Sequence, residues 1–253
     1  MVTEHDPNDV PDDEASLVSD ESPIVATTAI PWYRRSRILV GIALIVAAAI
    51  GALVFANDRA DHSNSAKTSV VEAIPAKPPG QNETITKYIK ENGITSSAVH
   101  LGDPGAPKIV IALPQGWSDL GEDTPGYAYG AVQLDTAADP NDPPTIVVLL
   151  SKLTGDVDPA KILEYAPGEL RNLPKYQPAA EPITDKLSGF DAIQLAGLYE
   201  RDGKNRTIAQ KTVVIPADGA VYVLQMNADA LKTDAASLIQ ATEVIDKQTK
   251  ITP

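Results

Sequence analysis

The sequence predicts an α+β region, in which helices sandwich a largely antiparallel β-sheet, preceded by one transmembrane helix. Three observations support this prediction: one long uncharged segment, three consecutive strand patterns joined by Asp-Gly turns, and helical patterns on either side of the strands. Asp-Gly between alternating apolar runs is a strong hairpin signal. Helices that lie outside an antiparallel sheet give an α+β sandwich.

The uncharged segment runs from Ile38 to Ala56 and contains eleven Leu, Ile, Val or Phe residues. As a helix it spans about 28 Å, close to the ~30 Å hydrocarbon core of a bilayer. Arg34, Arg35 and Arg37 precede it, and an excess of Arg holds that flank in the cytoplasm. We therefore predict a single-pass protein of the cytoplasmic membrane, with a cytoplasmic N-terminus and extracytoplasmic residues after Ala56. A signal peptide cleaved after Ala56 is the alternative, although the apolar run exceeds the roughly 7–15 residues of a signal core.

The segments around this helix differ in composition from the rest of the chain. Residues 1–31 hold eight acidic residues and no Lys or Arg, which predicts a disordered cytoplasmic tail. Residues 32–56 are the predicted anchor with its aromatic and basic flank. Residues 57–83 are polar and contain Pro, which is typical of a flexible linker. The remaining residues, 84–253, are the predicted exported domain, long enough to bury about 70% of its unfolded surface.

The first half of the domain shows one short helix followed by strands. Apolar residues at helical spacing in 85–89 predict a helix that stops at Gly93. An apolar run follows over 109–113, and strand patterns cover 127–134 and 145–150. The last of these is apolar almost throughout, so it should lie in the middle of the sheet and be covered on both faces.

Two further helices are predicted in the second half. Asp158 is a favourable N-cap and Pro159 a favourable first helical residue, so a helix should begin there. Pro167 and Gly168 should break or kink this helix. The chain closes on a helix over about 233–248 with one apolar face.

Three strand patterns lie between these two helices. Asp202-Gly203 joins the first two, and Asp218-Gly219 joins the last two. Because both connections carry the same tight-turn signal, the strands should form an antiparallel meander. They cover about residues 190–199, 206–215 and 220–227.

The composition narrows the chemistry that this chain can perform. Cysteine is absent from the 253 residues, which excludes disulfides, thiolate nucleophiles and a lipid-modified cysteine. The formal net charge of -13 argues against nucleic acid as a partner, because an acidic chain repels phosphate backbones. Neither a Gly-x-Ser-x-Gly elbow, nor a P-loop, nor a dinucleotide-binding motif occurs. We therefore predict a protein that is not an enzyme, with no cofactor, no metal site and no catalytic residue.

Two acidic clusters are the remaining candidates for acid/base chemistry or calcium binding. Neither matches a calcium-binding loop, and the Asp-Pro-Asn-Asp-Pro run is typical of turns. Because paired carboxylates can perform acid/base catalysis, an exported carboxylate-dependent hydrolase is an alternative function. A transmembrane relay that uses the acidic cytoplasmic tail is a second alternative. The clusters comprise Asp119, Glu122 and Asp123, and Asp135, Asp139 and Asp142.

Trp117, Tyr127 and Tyr129 are the predicted residues of a ligand or partner groove. Aromatic residues are scarce in this chain, which has two Trp and two Phe, and Trp117 follows a predicted Pro-Gln-Gly loop. Aromatic rings combine a large apolar area with a polar group, as ligand grooves require. The alternative is that Trp117 closes the edge of the hydrophobic core.

Six short runs follow one another along the domain: residues 86–95 (TKYIKENGIT), 99–107 (VHLGDPGAP), 113–117 (LPQGW), 124–131 (TPGYAYGA), 158–160 (DPA) and 170–174 (LRNLP). This succession resembles the LpqN/LpqT family of mycobacterial cell-envelope lipoproteins. The resemblance implies a Mog1p/PsbP-like fold and a non-catalytic binding or accessory module of the cell envelope. It implies an envelope lipid or an envelope-transport protein as the partner. Family members typically carry a lipid-modified cysteine, in place of which this chain has the predicted transmembrane helix.

Overall fold

The structure, a computed structural model, describes residues 80–253. The predicted tail, the predicted anchor and most of the predicted linker lie outside the described residues. Within residues 80–253, no helix is long and apolar enough to cross a membrane. This part of the chain contains the helices α1 (Ile85–Glu91), α2 (Pro159–Arg171) and α3 (Ala235–Gln248).

The described strands pair exclusively antiparallel and form a nine-stranded sheet and a separate two-stranded sheet. The strands are β1 (Thr95–Val99), β2 (Lys108–Val110), β3 (Trp117–Asp119), β4 (Gly130–Leu134), β5 (Thr145–Thr154), β6 (Gln177–Pro178), β7 (Ile183–Leu187), β8 (Phe190–Arg201), β9 (Lys204–Ala217), β10 (Ala220–Leu231) and β11 (Lys250–Thr252).

The large sheet has the strand order β3-β4-β5-β10-β9-β8-β6. Along β5, β4 pairs with the first half and β1 with the second half, while β7 pairs with β8 next to β6. The predicted meander is confirmed as β8, β9 and β10, which are longer than the sequence indicated. Asp202 and Gly203 both have positive φ, 53° and 73°, as a two-residue hairpin loop that matches the strand twist requires.

Helices cover both faces of the sheet, which confirms the predicted α+β sandwich. On one face, Val223 of β10 packs in a cluster with Ile85 of α1 and Ile162 of α2. On the other face, the next residue, Leu224, packs in a cluster with Leu238 of α3. Strand β5 is buried from residue 145 to residue 150 between β10 and its other neighbours, so its predicted central position is confirmed.

Helix α2 does not break at Pro167 but continues to Arg171. Pro167 and Gly168 are both buried, and the chain before α1 passes close to the helix at this point. A Cβ on Gly168 would lie 1.7 Å from the carbonyl oxygen of Glu83. Packing of the helix against the rest of the domain therefore outweighs the local cost of Pro in the helix.

The chain that enters the domain is held by Asn172 at the end of α2. The Asn172 Oδ1 atom accepts hydrogen bonds from the backbone N–H groups of Gly80 (2.8 Å) and Asn82 (3.0 Å). The Asn172 Nδ2 atom donates to the carbonyl oxygen of Asn82 at 3.1 Å. The last residues of the predicted linker 57–83 thus contact the domain.

We expect Asn172→Ala to lower the free energy of unfolding by about 1–2 kcal/mol, because it removes these partly buried hydrogen bonds. The denaturant midpoint of the full chain measures the effect. Asn141→Ala is the control, since Asn141 is exposed and its substitution should change the free energy of unfolding by less than about 0.5 kcal/mol. Equal midpoints for the two variants would show that residues 80–82 contribute nothing to the stability of the domain.

Candidate functional site: an apolar groove beneath α3

A cavity of about 500 Å³ lies between α3 and the strands β8, β9 and β10. Its floor is a row of alanines: Ala228 of β10 pairs with Ala209 of β9, which pairs with Ala196 of β8. Because these side chains are single methyl groups, they leave space between the sheet and the helix. Ala209 and Ala196 stay partly exposed, although they lie on the face that α3 covers. We refer to this cavity as the α3 groove.

The walls of the α3 groove are aliphatic. Leu238 and Ile245 of α3 line one side, and the segment 179–183 before and at the start of β7 lines the other. Ile183 and Ile239 also line the groove, and they are 54% and 55% exposed. Exposed aliphatic side chains at the mouth of an apolar cavity offer contact area to a ligand that enters it.

One side of the α3 groove carries an ion-pair cluster. The buried Lys211 Nζ atom lies 2.9 Å from the Asp185 Oδ2 atom and 3.1 Å from the Asp246 Oδ2 atom. Burial raises the pKa of Asp246, and the Lys211 ammonium opposes this rise. The lysine charge is thus compensated within the domain, as a buried cation requires.

The residues predicted from the sequence as a groove do not line the α3 groove. Trp117 is 5% exposed and belongs to the core cluster beneath α3. Tyr129 is buried in the same cluster, and its hydroxyl accepts a hydrogen bond from the Ile109 N–H at 3.1 Å. Tyr127 lines a different, smaller cavity. The predicted loop at Trp117 is in fact the start of β3, where Trp117 pairs with Leu134.

The smaller cavity has a volume of about 60 Å³ and lies on the opposite face of the sheet, near α1 and α2. Its lining includes Tyr127 and the buried Glu169. Burial raises the pKa of Glu169 to about 7, and hydrogen bonds from Thr86 oppose this rise. The volume is far below the ~300–1,000 Å³ of most ligand pockets, so the α3 groove is the candidate site.

Carboxylates from both acidic clusters have structural roles in the described chain. The Asp119 Oδ1 atom accepts from the Gly121 N–H at 2.8 Å, and the Asp139 Oδ1 atom accepts from the Asn141 N–H at 3.0 Å. Asp142 is buried and forms an ion pair with Arg206. Among residues 80–253, no group of three or more His, Cys, Asp or Glu is arranged to hold a metal ion.

The sequence contains the alanines that form the floor of the α3 groove, but it gives no sign that they lie side by side. The alanines at 196, 209 and 228 stand in three consecutive predicted strands or just beyond the predicted end of one. Their alignment depends on the exact register of the two hairpins, which the patterns did not determine. Small aliphatic residues also carry no chemical signal of their own, unlike aromatic or charged residues.

Comparison with known proteins identifies the family. The family model described as probable lipoprotein LpqN matches residues 81–252. Lipoprotein LpqN of Mycobacterium tuberculosis (strain ATCC 25618 / H37Rv) is 54% identical over 174 residues, which are 69% of this chain and 76% of that protein.

The crystal structure of the same relative agrees with this match. The crystal structure of LpqN involved in cell envelope biogenesis of Mycobacterium tuberculosis has 54% sequence identity and a TM-score of 0.66, and the match covers 69% of this chain and 100% of that one. The Saccharomyces cerevisiae Ran-binding protein Mog1p aligns at 12% identity with a TM-score of 0.38, over 62% of this chain and 95% of that one. The family resemblance predicted from the sequence is therefore confirmed, while the predicted transmembrane anchor lies outside the described residues. This chain belongs to the family of the probable lipoprotein LpqN.

Proposed function

We propose that the domain binds the hydrocarbon chain of a cell-envelope lipid in the α3 groove. The observation that carries this proposal is the row of alanines, which holds open an apolar cavity of about 500 Å³ beneath a helix. Ligand pockets usually measure ~300–1,000 Å³ and are mostly apolar. An apolar cavity of only ~150 Å³ already binds benzene, so this groove has room for a substantially longer hydrocarbon.

The family supports the choice of an envelope lipid. The relative with 54% identity is involved in cell envelope biogenesis, and we propose that this chain acts in the same process. We propose a non-catalytic binding or accessory module of the cell envelope that acts on lipids or on envelope-transport proteins, and the α3 groove favours the lipid. Asp119 and Asp139 are engaged in turns and Asp142 in an ion pair, which supports binding over hydrolysis.

The predicted topology would bring the groove to its ligand. A transmembrane helix from Ile38 to Ala56 would hold the domain at the outer face of the cytoplasmic membrane. A flexible linker of this length reaches on the order of 30 Å. The groove would then stay within reach of lipids that leave the membrane surface.

The domain alone suits binding experiments. The match to the crystal structure of the relative covers the whole of that chain and 69% of this one, which supports treating the matched region as one unit. We therefore expect a fragment of residues 80–253 to fold independently.

We expect Ala209→Leu to abolish lipid binding without unfolding the domain. The larger side chain would extend from the middle of the alanine row into the space that the hydrocarbon needs. We expect the affinity to fall more than about tenfold. A tenfold fall corresponds to a loss of about 1.4 kcal/mol of binding free energy. Binding of 1-monododecanoylglycerol to fragment 80–253, measured by calorimetry below the micellar concentration, reports the effect.

Ala217→Leu is the matched control for this experiment. Ala217 lies on the same strand, β9, but is exposed and does not line the groove. The control should keep wild-type affinity. The proposal would be wrong if Ala209→Leu bound the lipid as tightly as Ala217→Leu while both variants had wild-type denaturant midpoints.

A further inference from the structure

The smaller cavity, on the opposite face of the sheet from the α3 groove, combines a partly exposed apolar side with a buried polar side. Ile89 of α1, Ala98 of β1 and Tyr127 line the cavity and are partly exposed. Glu169 of α2 and Gln225 of β10 also line it, but they are only 7% and 6% exposed. A group that enters past the apolar side chains therefore meets a carboxyl and an amide at the buried side.

Glu169 is a buried carboxyl without a cation beside it in the described part of the chain. The Thr86 Oγ1 atom donates a hydrogen bond to the Glu169 Oε1 atom at 3.4 Å. Burial raises the pKa of Glu169 to about 7, and the groups that oppose this rise are hydrogen bonds from Thr86, not a positive charge. Among the described residues that line the cavity, none is Lys, Arg or His. A buried carboxylate needs a paired cation, and residues 80–253 do not supply one.

Gln225 provides a second polar group without a partner in this cavity. Its amide forms no hydrogen bond within residues 80–253. Thr212 lies directly opposite Gln225 on β9, but its Oγ1 atom is itself buried without a partner. Unlike this atom, the Gln225 amide is not sealed from solvent, because Gln225 lines the cavity. Buried polar side chains are ordinarily hydrogen-bonded, so an unpartnered amide beside an uncompensated carboxyl indicates a ligand that satisfies both.

We propose that the smaller cavity accepts a lysine side chain from a partner protein, whose ammonium group binds the Glu169 carboxylate and the Gln225 amide oxygen. A lysine ammonium is a compact cation with three donors and no acceptor, which matches these two acceptors. The partly exposed side chains of Ile89, Ala98 and Tyr127 offer apolar contacts to the methylene groups of the lysine.

The size of the cavity favours one side chain of a larger molecule over a whole ligand. Its volume of about 60 Å³ is well below the ~300–1,000 Å³ of most ligand pockets. A single water needs only ~10–15 Å³, so an ammonium group with its last carbons has room. The formal net charge of -13 also favours a partner with a basic surface. Because the cavity and the α3 groove lie on opposite faces of the sheet, this site does not depend on lipid binding.

The experiment compares ligands that differ in the ammonium group. The full-length protein, kept in detergent because of its predicted anchor, is titrated with Nα-acetyl-lysine N-methylamide and with Nα-acetyl-norleucine N-methylamide, which lacks the ammonium. Ligand-observed NMR at pH 8 measures both affinities, since a carboxyl with a pKa of about 7 is then ionised. We expect the lysine compound to bind at least about tenfold more tightly, as for one hydrogen bond between charged groups.

Substitutions at the cavity test the two proposed contacts. Glu169→Gln removes the charge at nearly constant shape and should abolish the preference for the lysine compound. Gln225→Met removes the amide and should weaken binding of that compound by about threefold to tenfold. Glu164→Gln is the matched control on the same helix, because Glu164 is exposed and does not line the cavity, and it should bind as the wild type does.

Three outcomes would overturn this inference. The first is equal or undetectable binding of the lysine and norleucine compounds by the wild type, which would leave the cavity to solvent. The second is an unchanged preference in Glu169→Gln. The third is binding of n-butylammonium as tight as that of the lysine compound, which would assign the cavity to free amines and not to a protein.

The stability of Glu169→Gln checks that the carboxylate is free to bind a ligand. A carboxyl whose pKa is raised in the folded state lowers stability once the pH exceeds that pKa. At pH 8 the denaturant midpoint of Glu169→Gln should therefore equal or exceed that of the wild type. A large decrease would show that the carboxylate is already compensated within the protein, and the lysine site would be wrong.

Discussion

We expect Arg206→Met to lower the free energy of unfolding by about 3–5 kcal/mol. Arg206 is 2% exposed and bridges two buried carboxylates. Its Nη1 atom lies 2.7 Å from the Asp142 Oδ2 atom, and its Nε atom lies 2.7 Å from the Asp229 Oδ1 atom. Removing the guanidinium leaves both carboxylates buried without their main cation, and this uncompensated charge is the costly part. Chemical denaturation of fragment 80–253, followed by tryptophan fluorescence, measures the loss.

The pH dependence of this loss provides a second readout. Burial pushes the pKa of Asp142 upward, but Arg206 and Lys204 outweigh burial, and the net pKa lies below its ordinary value of 3.8. A carboxyl with a lowered pKa in the folded state contributes stability above its unfolded pKa, and this contribution is lost as the pH falls through the folded pKa. In Arg206→Met, Asp142 is buried without this cation, so protonation should relieve its cost. The variant should therefore lose less stability relative to the wild type at about pH 3 than at about pH 7.

Lys204→Met is the matched control for Arg206→Met. The Lys204 Nζ atom lies 3.2 Å from the same Asp142 Oδ2 atom, but the Lys204 side chain is 50% exposed. A half-exposed ion pair usually contributes about 1 kcal/mol or less. If Arg206→Met and Lys204→Met lost the same free energy of unfolding, burial would not explain the contribution of Arg206.

Trp117→Ala is expected to lower the free energy of unfolding by about 3–5 kcal/mol, the usual range for emptying a buried aromatic site. Trp117 is 5% exposed at the start of β3 and packs in the core cluster that contains Val132 and Ile146. Since Trp117 does not line the α3 groove, the variant should bind 1-monododecanoylglycerol with wild-type affinity under conditions where it stays folded. Circular dichroism during denaturation measures the stability, because the substitution removes the fluorescent residue.

Leu113→Ala is the control for Trp117→Ala. Leu113 precedes the same turn but is 54% exposed, so its truncation should change stability by less than about 0.5 kcal/mol. An unchanged midpoint together with weakened binding in Trp117→Ala would return Trp117 to a ligand site. If both the midpoint and the binding were unchanged, Trp117 would be neither an important core residue nor a ligand-site residue.

The elements with local signals agree closely with their predictions. Asp-Gly turns located both hairpins of the meander, and the apolar pattern of residues 145–150 identified the central strand. The N-cap of α2 is also as predicted, with the Asp158 Oδ1 atom accepting from the Ala160 N–H at 2.8 Å. These features depend on neighbouring residues alone, so a single sequence is sufficient to recognise them.

The features that depend on distant contacts were not predictable in this way. Pro167 favoured an end of α2, but the packing of Gly168 against Glu83 holds the helix in place beyond it. Trp117 followed a loop signal, yet pairing with Leu134 makes it the first residue of β3. In each case a contact between residues far apart in the chain outweighs a local preference.

By itself, the sequence determined the fold class, the meander, the absence of cysteine chemistry and the family. Only the tertiary structure decided where the apolar groove lies. Ala196, Ala209 and Ala228 form one row because two hairpins place them side by side, and a shift of one residue would turn a strand's alanine to the opposite face. The groove also depends on the distance between α3 and the sheet, which is determined by packing between residues far apart in the chain. Cross-strand register and the spacing of layers are properties of the assembled domain, and no single segment of the chain encodes them.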